Sequence, residues 1–201
     1  MKKILRRIVN DLWAYILWIV VVIVAWTLIF GYLTHIDVDE KVCVFIGSQS
    51  AGFEKYEELN EKRPDYLKKV EVNAYSINDG MFSTVLSIFG YEAGDILILP
   101  ESRLSEESCP QRFAEISPSY CQQFANKGFY TAHGKVYGLL VHEKGNTESL
   151  ISCIDYGKSE NDDNYYLLFN VKSLHLSDLS DESKKSNMDG AIKVALELLA
   201  L

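Results

Sequence analysis

The sequence predicts an α/β protein: an N-terminal transmembrane helix followed by a single exterior domain whose mainly parallel (mixed) sheet is flanked by helices. Three observations carry this. Residues Leu12 to Leu33 form 22 consecutive positions without a charge. Strand-like and helix-like patterns alternate between Lys41 and Pro100, as in right-handed βαβ units. Charge is also divided unevenly. Of the 20 basic and 28 acidic residues, four and one precede the apolar stretch, so a net charge of −11 lies beyond it, against −8 for the whole chain.

The apolar stretch is long enough to cross a hydrocarbon core of about 30 Å at roughly 1.5 Å per residue. Trp13, Tyr15 and Trp18 lie toward one end and Trp26 and Tyr32 toward the other, where amphipathic rings suit the interfaces. A cleaved signal peptide has a shorter apolar region and a small-residue cleavage site. Here Thr34-His-Ile-Asp37 follows instead, so a retained signal anchor is expected over residues 12–33. Lys2, Lys3, Arg6 and Arg7 place residues 1–11 in the cytoplasm by the positive-inside rule, and residues 34–201 outside.

Within the exterior segment, Lys41 to Ile46 reads as a buried strand leading into the loop Gly47-Ser-Gln-Ser-Ala-Gly52. Phe53, Tyr56 and Leu59 recur at helical spacing, and Pro64 closes that helix. Val70, Val72 and Ala74 alternate with polar residues as a second strand. Asn78-Asp79-Gly80 caps a helix with apolar positions Met81, Phe82, Val85, Leu86 and Phe89. Asp95 to Pro100 is the clearest strand. Short helices are expected over 106–126, with Ser117-Pro118 as N-cap and first position. Lys135–Val141, Ile151–Asp155 and Tyr165–Phe169 read as strands, Lys144-Gly-Asn146 as a turn, and the segment from Ser186-Asn187 to the C-terminus as a helix.

The acidic balance argues against a nucleic-acid partner. Four cysteines do not make a disulfide scaffold. Cys109 and Cys121 bracket a short stretch and could pair, whereas Cys43 and Cys153 sit in apolar runs as fillers or free thiols. No Cys/His metal spacing occurs. The glycine loop lacks the lysine of a phosphate loop, G-x-S-x-G is missing, and His142-Glu143 lacks the second histidine of a zinc protease. No enzyme activity and no cofactor are expected. Asp162-Asp163 and Asp178, Asp181 and Glu182 lack calcium-loop spacing and read as solvated loop charge.

Several segments carry a family resemblance. Gly52-Phe-Glu-Lys-Tyr-Glu-Glu-Leu59, Val70-Glu-Val72, Gly94-Asp-Ile-Leu-Ile98, His133-Gly-Lys-Val-Tyr-Gly138 and Tyr166-Leu-Leu-Phe-Asn170 appear in that order. Together they resemble the extracytoplasmic solute-binding proteins of ABC importers, particularly the sugar-binding class, with His133 in place of the usual aspartate. Only 168 residues follow Leu33, so the resemblance implies about one lobe rather than two. In an open α/β sheet, ligands collect beyond the carboxyl ends of the strands. The candidate ligand-binding residues are therefore Ser48, Gln49 and Ser50 after the first strand, Asn78 and Asp79 after the second, and Glu101 and Ser102 after the third. The same residue types also favour loops and caps regardless of ligand. The function expected is a membrane-anchored recognition module that holds a small polar ligand such as a sugar, or a partner protein, at the membrane surface. The alternative is a structural or assembly protein with a degenerate cleft.

Overall fold

The computed structural model describes residues 2–116, 128–146, 148–157, 163–176 and 190–200. The chain divides into two compact units, Met1–Asp37 and Val38–Leu201. The first is one helix, α1 (Lys2–Thr34). Every side chain from Leu12 to Leu33 is exposed, and this span is long and apolar enough to cross a membrane. Its one aliphatic hydroxyl is satisfied within the helix, Thr27 Oγ1 donating to the Ile23 carbonyl at 2.8 Å.

The second unit is built on six strands: β1 (Lys41–Ser48), β2 (Lys69–Ser76), β3 (Ile96–Pro100), β4 (Phe129–Ala132), β5 (Lys135–His142) and β6 (Tyr165–Phe169). Their spatial order is β2-β1-β3-β6-β5-β4. The β2-β1-β3 half is parallel, while β6, β5 and β4 join through antiparallel pairings. The sheet is thus mixed in equal halves rather than mainly parallel. In its second half a tight hairpin makes the β4–β5 pairing antiparallel. His133 and Gly134 both have positive φ, 51° and 77°, as a two-residue turn matching the strand twist demands. That turn adds β4, a strand the pattern analysis does not contain.

Helices cover both faces. Val44, Ile46, Ile96, Ile98, Leu139 and Leu167 face α2 (Tyr56–Glu61) and the C-terminal helix, α5 (Gly190–Leu199). On α5, Ala191, Val194, Ala195 and Leu198 are buried at the i, i+3, i+4, i+7 positions of one stripe. Phe45, Leu97, Leu99 and Leu168 face α3 (Phe82–Val85) and the short α4 (Cys109–Arg112). Alternation across two covered faces explains why Ile96-Leu-Ile-Leu99 is apolar throughout.

Two expected elements differ. Ile151–Asp155 is a chain of turns, with Ile151 and Ile154 buried three apart. The hydroxyl of Tyr156 donates to the Ile151 carbonyl at 3.0 Å and closes the segment on itself. The helix after Gly80 begins as α3 but widens into a π-turn over Leu86–Tyr91. Its buried residues Phe82, Leu86 and Gly90 are four apart on one face, and Met81 and Phe89 are exposed. The expected cap Ser117-Pro118, the acidic residues 162, 178, 181 and 182, and Ser186-Asn187 lie outside the described residues.

Candidate functional site

The parallel half of the sheet brings all three candidate loops to one edge. After β1, Ser48 is buried and its hydroxyl donates to the Ser50 carbonyl at 2.6 Å. Gln49 turns toward the β2 loop, where Asn78 Nδ2 donates to Gln49 Oε1 at 2.8 Å. Ser76 Oγ donates to the Gln49 carbonyl at 2.8 Å, and Gln49 N donates to the Asp155 carbonyl at 2.9 Å. Asp79 Oδ1 accepts from Met81 N at 2.9 Å, holding the turn that starts α3.

The third loop is tied to β6. Glu101 Oε2 accepts from Asn164 Nδ2 at 2.6 Å and from the Tyr166 hydroxyl at 3.4 Å. Ser102 N donates to Asp163 Oδ2 at 3.0 Å. Burial and then the Glu101 carboxylate push the Tyr166 hydroxyl up to about 12, which keeps it a neutral donor. Sequence reasoning missed Arg103. Its guanidinium donates to the Ile77 carbonyl at 3.2 Å and lies 5.4 Å from the Phe82 ring centroid, joining the third loop to the second.

The structure therefore brings Ser48, Gln49, Ser50, Asn78 and Asp79 into one bonded group, and Glu101 and Ser102 into a second with Asp163 and Asn164. These bonds do the work of loop closure. Gln49 Oε1, one N–H of Asn78 and Glu101 Oε2 are already engaged in these bonds, while Asn78 Oδ1 and Glu101 Oε1 keep acceptor capacity. The described histidines are engaged away from Ser48. His133 Nε2 lies 3.2 Å from the Glu106 carbonyl, His175 Nε2 lies 3.1 Å from that of Val38, and His142 stacks on Tyr156 at 4.4 Å. Burial pushes the Cys43 and Cys109 thiols up to about 11, so both stay protonated near neutrality and are poor nucleophiles. Cys109 is a free thiol, and Cys121 lies outside the described residues. Among the described residues no group of three metal-ligating side chains occurs.

A second polar group sits at the opposite edge. Asp95 is buried and accepts from Cys43 N at 2.7 Å and from the Ser173 hydroxyl. Burial raises its carboxyl above the ordinary range, against the opposing pull of those two donors. The folded chain then holds this proton to a higher pH than the unfolded chain. Asp95's contribution to stability is fully present below the unfolded value of about 3.9 and is lost as pH rises through the folded value. Asp95→Asn keeps an acceptor for Cys43 and removes the titration. The difference in unfolding free energy, wild type minus variant, should fall as pH rises from about 4 and then level off; a flat difference would show that Asp95 is not strained by burial.

Two surface cavities lie beside these loops. One of about 410 Å³ is lined by Ala51, Gly52, Phe53, Tyr56, Val72 and Ala74. Another of about 350 Å³ lies beside His142, Glu143, Asn146 and Glu148. No protein-family model matches this chain, and no curated protein matches it.

Proposed function

We propose that this chain is a membrane-anchored extracytoplasmic recognition module of the solute-binding type, and that what it holds at the membrane surface is a partner protein rather than a small polar solute. The observation that carries this is the internal pairing of the candidate loops. Gln49 with Asn78, and Glu101 with Asn164, already bond to each other, so part of the polar capacity a sugar would use is committed to closing the loops. The long apolar helix and the four basic residues before it support a tether with the acidic domain outside.

The test is a thermal-shift panel of sugars and amino acids on the full chain in lipid nanodiscs, paired with photocross-linking in native membranes from probes placed on several faces of the domain. No stabilisation should appear, whereas a ligand at a hundredfold excess over its Kd would add about 2.7 kcal/mol. A discrete cross-linked protein band should appear from one face. A saturable shift with a sugar, abolished by Asp79→Ala, would return the function to solute binding.

A further inference from the structure

The edge strand β2 pairs with β1 on one side, and its other side carries an unusual cap. Asn60 Oδ1 accepts from Val70 N at 2.9 Å, and Asn60 Nδ2 donates to the Val70 carbonyl at 2.8 Å. One side-chain amide thus pairs with Val70 as a neighbouring strand would. This fixes the direction of the strand's backbone groups. Val70 points its N–H and C=O away from β1, so the alternate residues Val72 and Ala74 do the same. Both are only part-buried, and among the described residues none caps them as Asn60 caps Val70. The edge is blunted at one end and open for two residues beyond it.

The open stretch runs beside the 410 Å³ cavity. The side chains of Val72 and Ala74 form one of its walls, and Phe53 and Tyr56 contribute aromatic rings. Glu54 and Glu57, adjacent in sequence to those two rings, are exposed, and among the described residues neither makes an ion pair. The surrounding domain is strongly acidic. We infer that the β2 edge is a docking site for an extended peptide segment of a partner protein, added as a seventh strand. Its main chain bonds to Val72 and Ala74, one apolar side chain fills the cavity, and Lys or Arg on its flanks meets Glu54 and Glu57. Main-chain bonds supply affinity in this mode, and the pocket supplies selection at alternate positions. The charge of the rim decides the occupant. A second copy of this chain would bring the same acidic rim against itself.

This inference rests on the partner-protein reading and adds to it the place and the chemistry. The probe is a phage-displayed random dodecapeptide library panned against the full chain in nanodiscs. The expected enrichment is an apolar residue at alternate positions with basic flanks. A fluorescein-labelled peptide from that pool should bind at least tenfold more weakly to Glu54→Lys/Glu57→Lys. It should lose a similar factor when the amide facing Val72 or Ala74 is N-methylated, a change that leaves the protein untouched. Failure to enrich, or binding indifferent to both changes, overturns the inference. So does a concentration-dependent dimer of the full chain that Glu54→Gln/Glu57→Gln, which removes the like charge from both copies, strengthens; this would make the occupant a second copy. A cross-linked partner band from another face, with no peptide enrichment, would sink this site while leaving the partner-protein reading in place. A sugar-dependent thermal shift would sink that reading itself.

Discussion

Replacing Asn170 by alanine should cost the second unit roughly 3 kcal/mol of unfolding free energy, among the larger effects available to one polar side chain. The π-turn over Leu86–Tyr91 leaves carbonyls at its end that no helical N–H reaches. Asn170 Nδ2 supplies them, donating to Gly94 at 2.7 Å, Tyr91 at 3.0 Å and Gly90 at 3.3 Å. Gly90 O also accepts from Gly94 N at 3.0 Å, so truncation orphans the carbonyls of Tyr91 and Gly94 in particular. Asn170 and Gly94 are buried, so water cannot replace the amide without opening the turn. Each orphaned group costs about 1–3 kcal/mol. Asn170→Asp is the sharper variant. It keeps the shape but aims a carboxylate at carbonyl oxygens, and should be less stable than the alanine variant at neutral pH. Denaturant unfolding of the three chains checks this. A loss under about 0.5 kcal/mol for alanine, or an Asp variant as stable as wild type, would mean that the π-turn closes without the amide.

Asn170 also marks the limit of what the sequence makes legible. Ile96–Pro100 is visible because both of its covered faces demand apolar residues, and Lys69–Ser76 because apolar and polar residues alternate along it. The π-turn is not visible, because Met81, Phe82, Val85, Leu86 and Phe89 fit an α pattern equally well. What widens the turn is Gly90, where a Cβ would meet Leu86 Cδ1 at 2.7 Å, together with a cap 80 residues away. Ile151–Asp155 looks like a strand by composition, yet among the described residues it has no partner in register, and it folds back on Tyr156. The candidate loops follow β1, β2 and β3, and the parallel pairing of those strands puts all three at one edge. Their internal pairing was invisible, since Gln49 meets Asn78 across 29 positions and Glu101 meets Asn164 across 63. Residue type suggests that a side chain can bind something; only the fold says whether it already does.

Two arginines in α1, Val21→Arg with Val22→Arg, should release the chain from the membrane while leaving the second unit folded. The span Leu12–Leu33 holds four Ile, four Leu, four Val and one Phe. At about −0.3 to −0.6 kcal/mol each, these favour insertion by roughly 4–8 kcal/mol as an upper bound, since positions near the ends contribute less. Each arginine at the centre costs about 2.5–3.5 kcal/mol, so two of them cancel most or all of the drive. A single substitution leaves a margin, and the double one does not. Carbonate-washed membranes should retain wild type almost fully and less than about a tenth of the double variant. The core clusters of the second unit begin at Val42 and include no residue of α1, so the melting temperature of that unit should not move. Equal retention of both chains would mean that another part of the protein holds the membrane. N-terminal sequencing of the wild-type membrane fraction separates the remaining case: a chain beginning beyond Leu33 would make the apolar helix a cleaved signal, and one beginning near Met1 makes it the anchor.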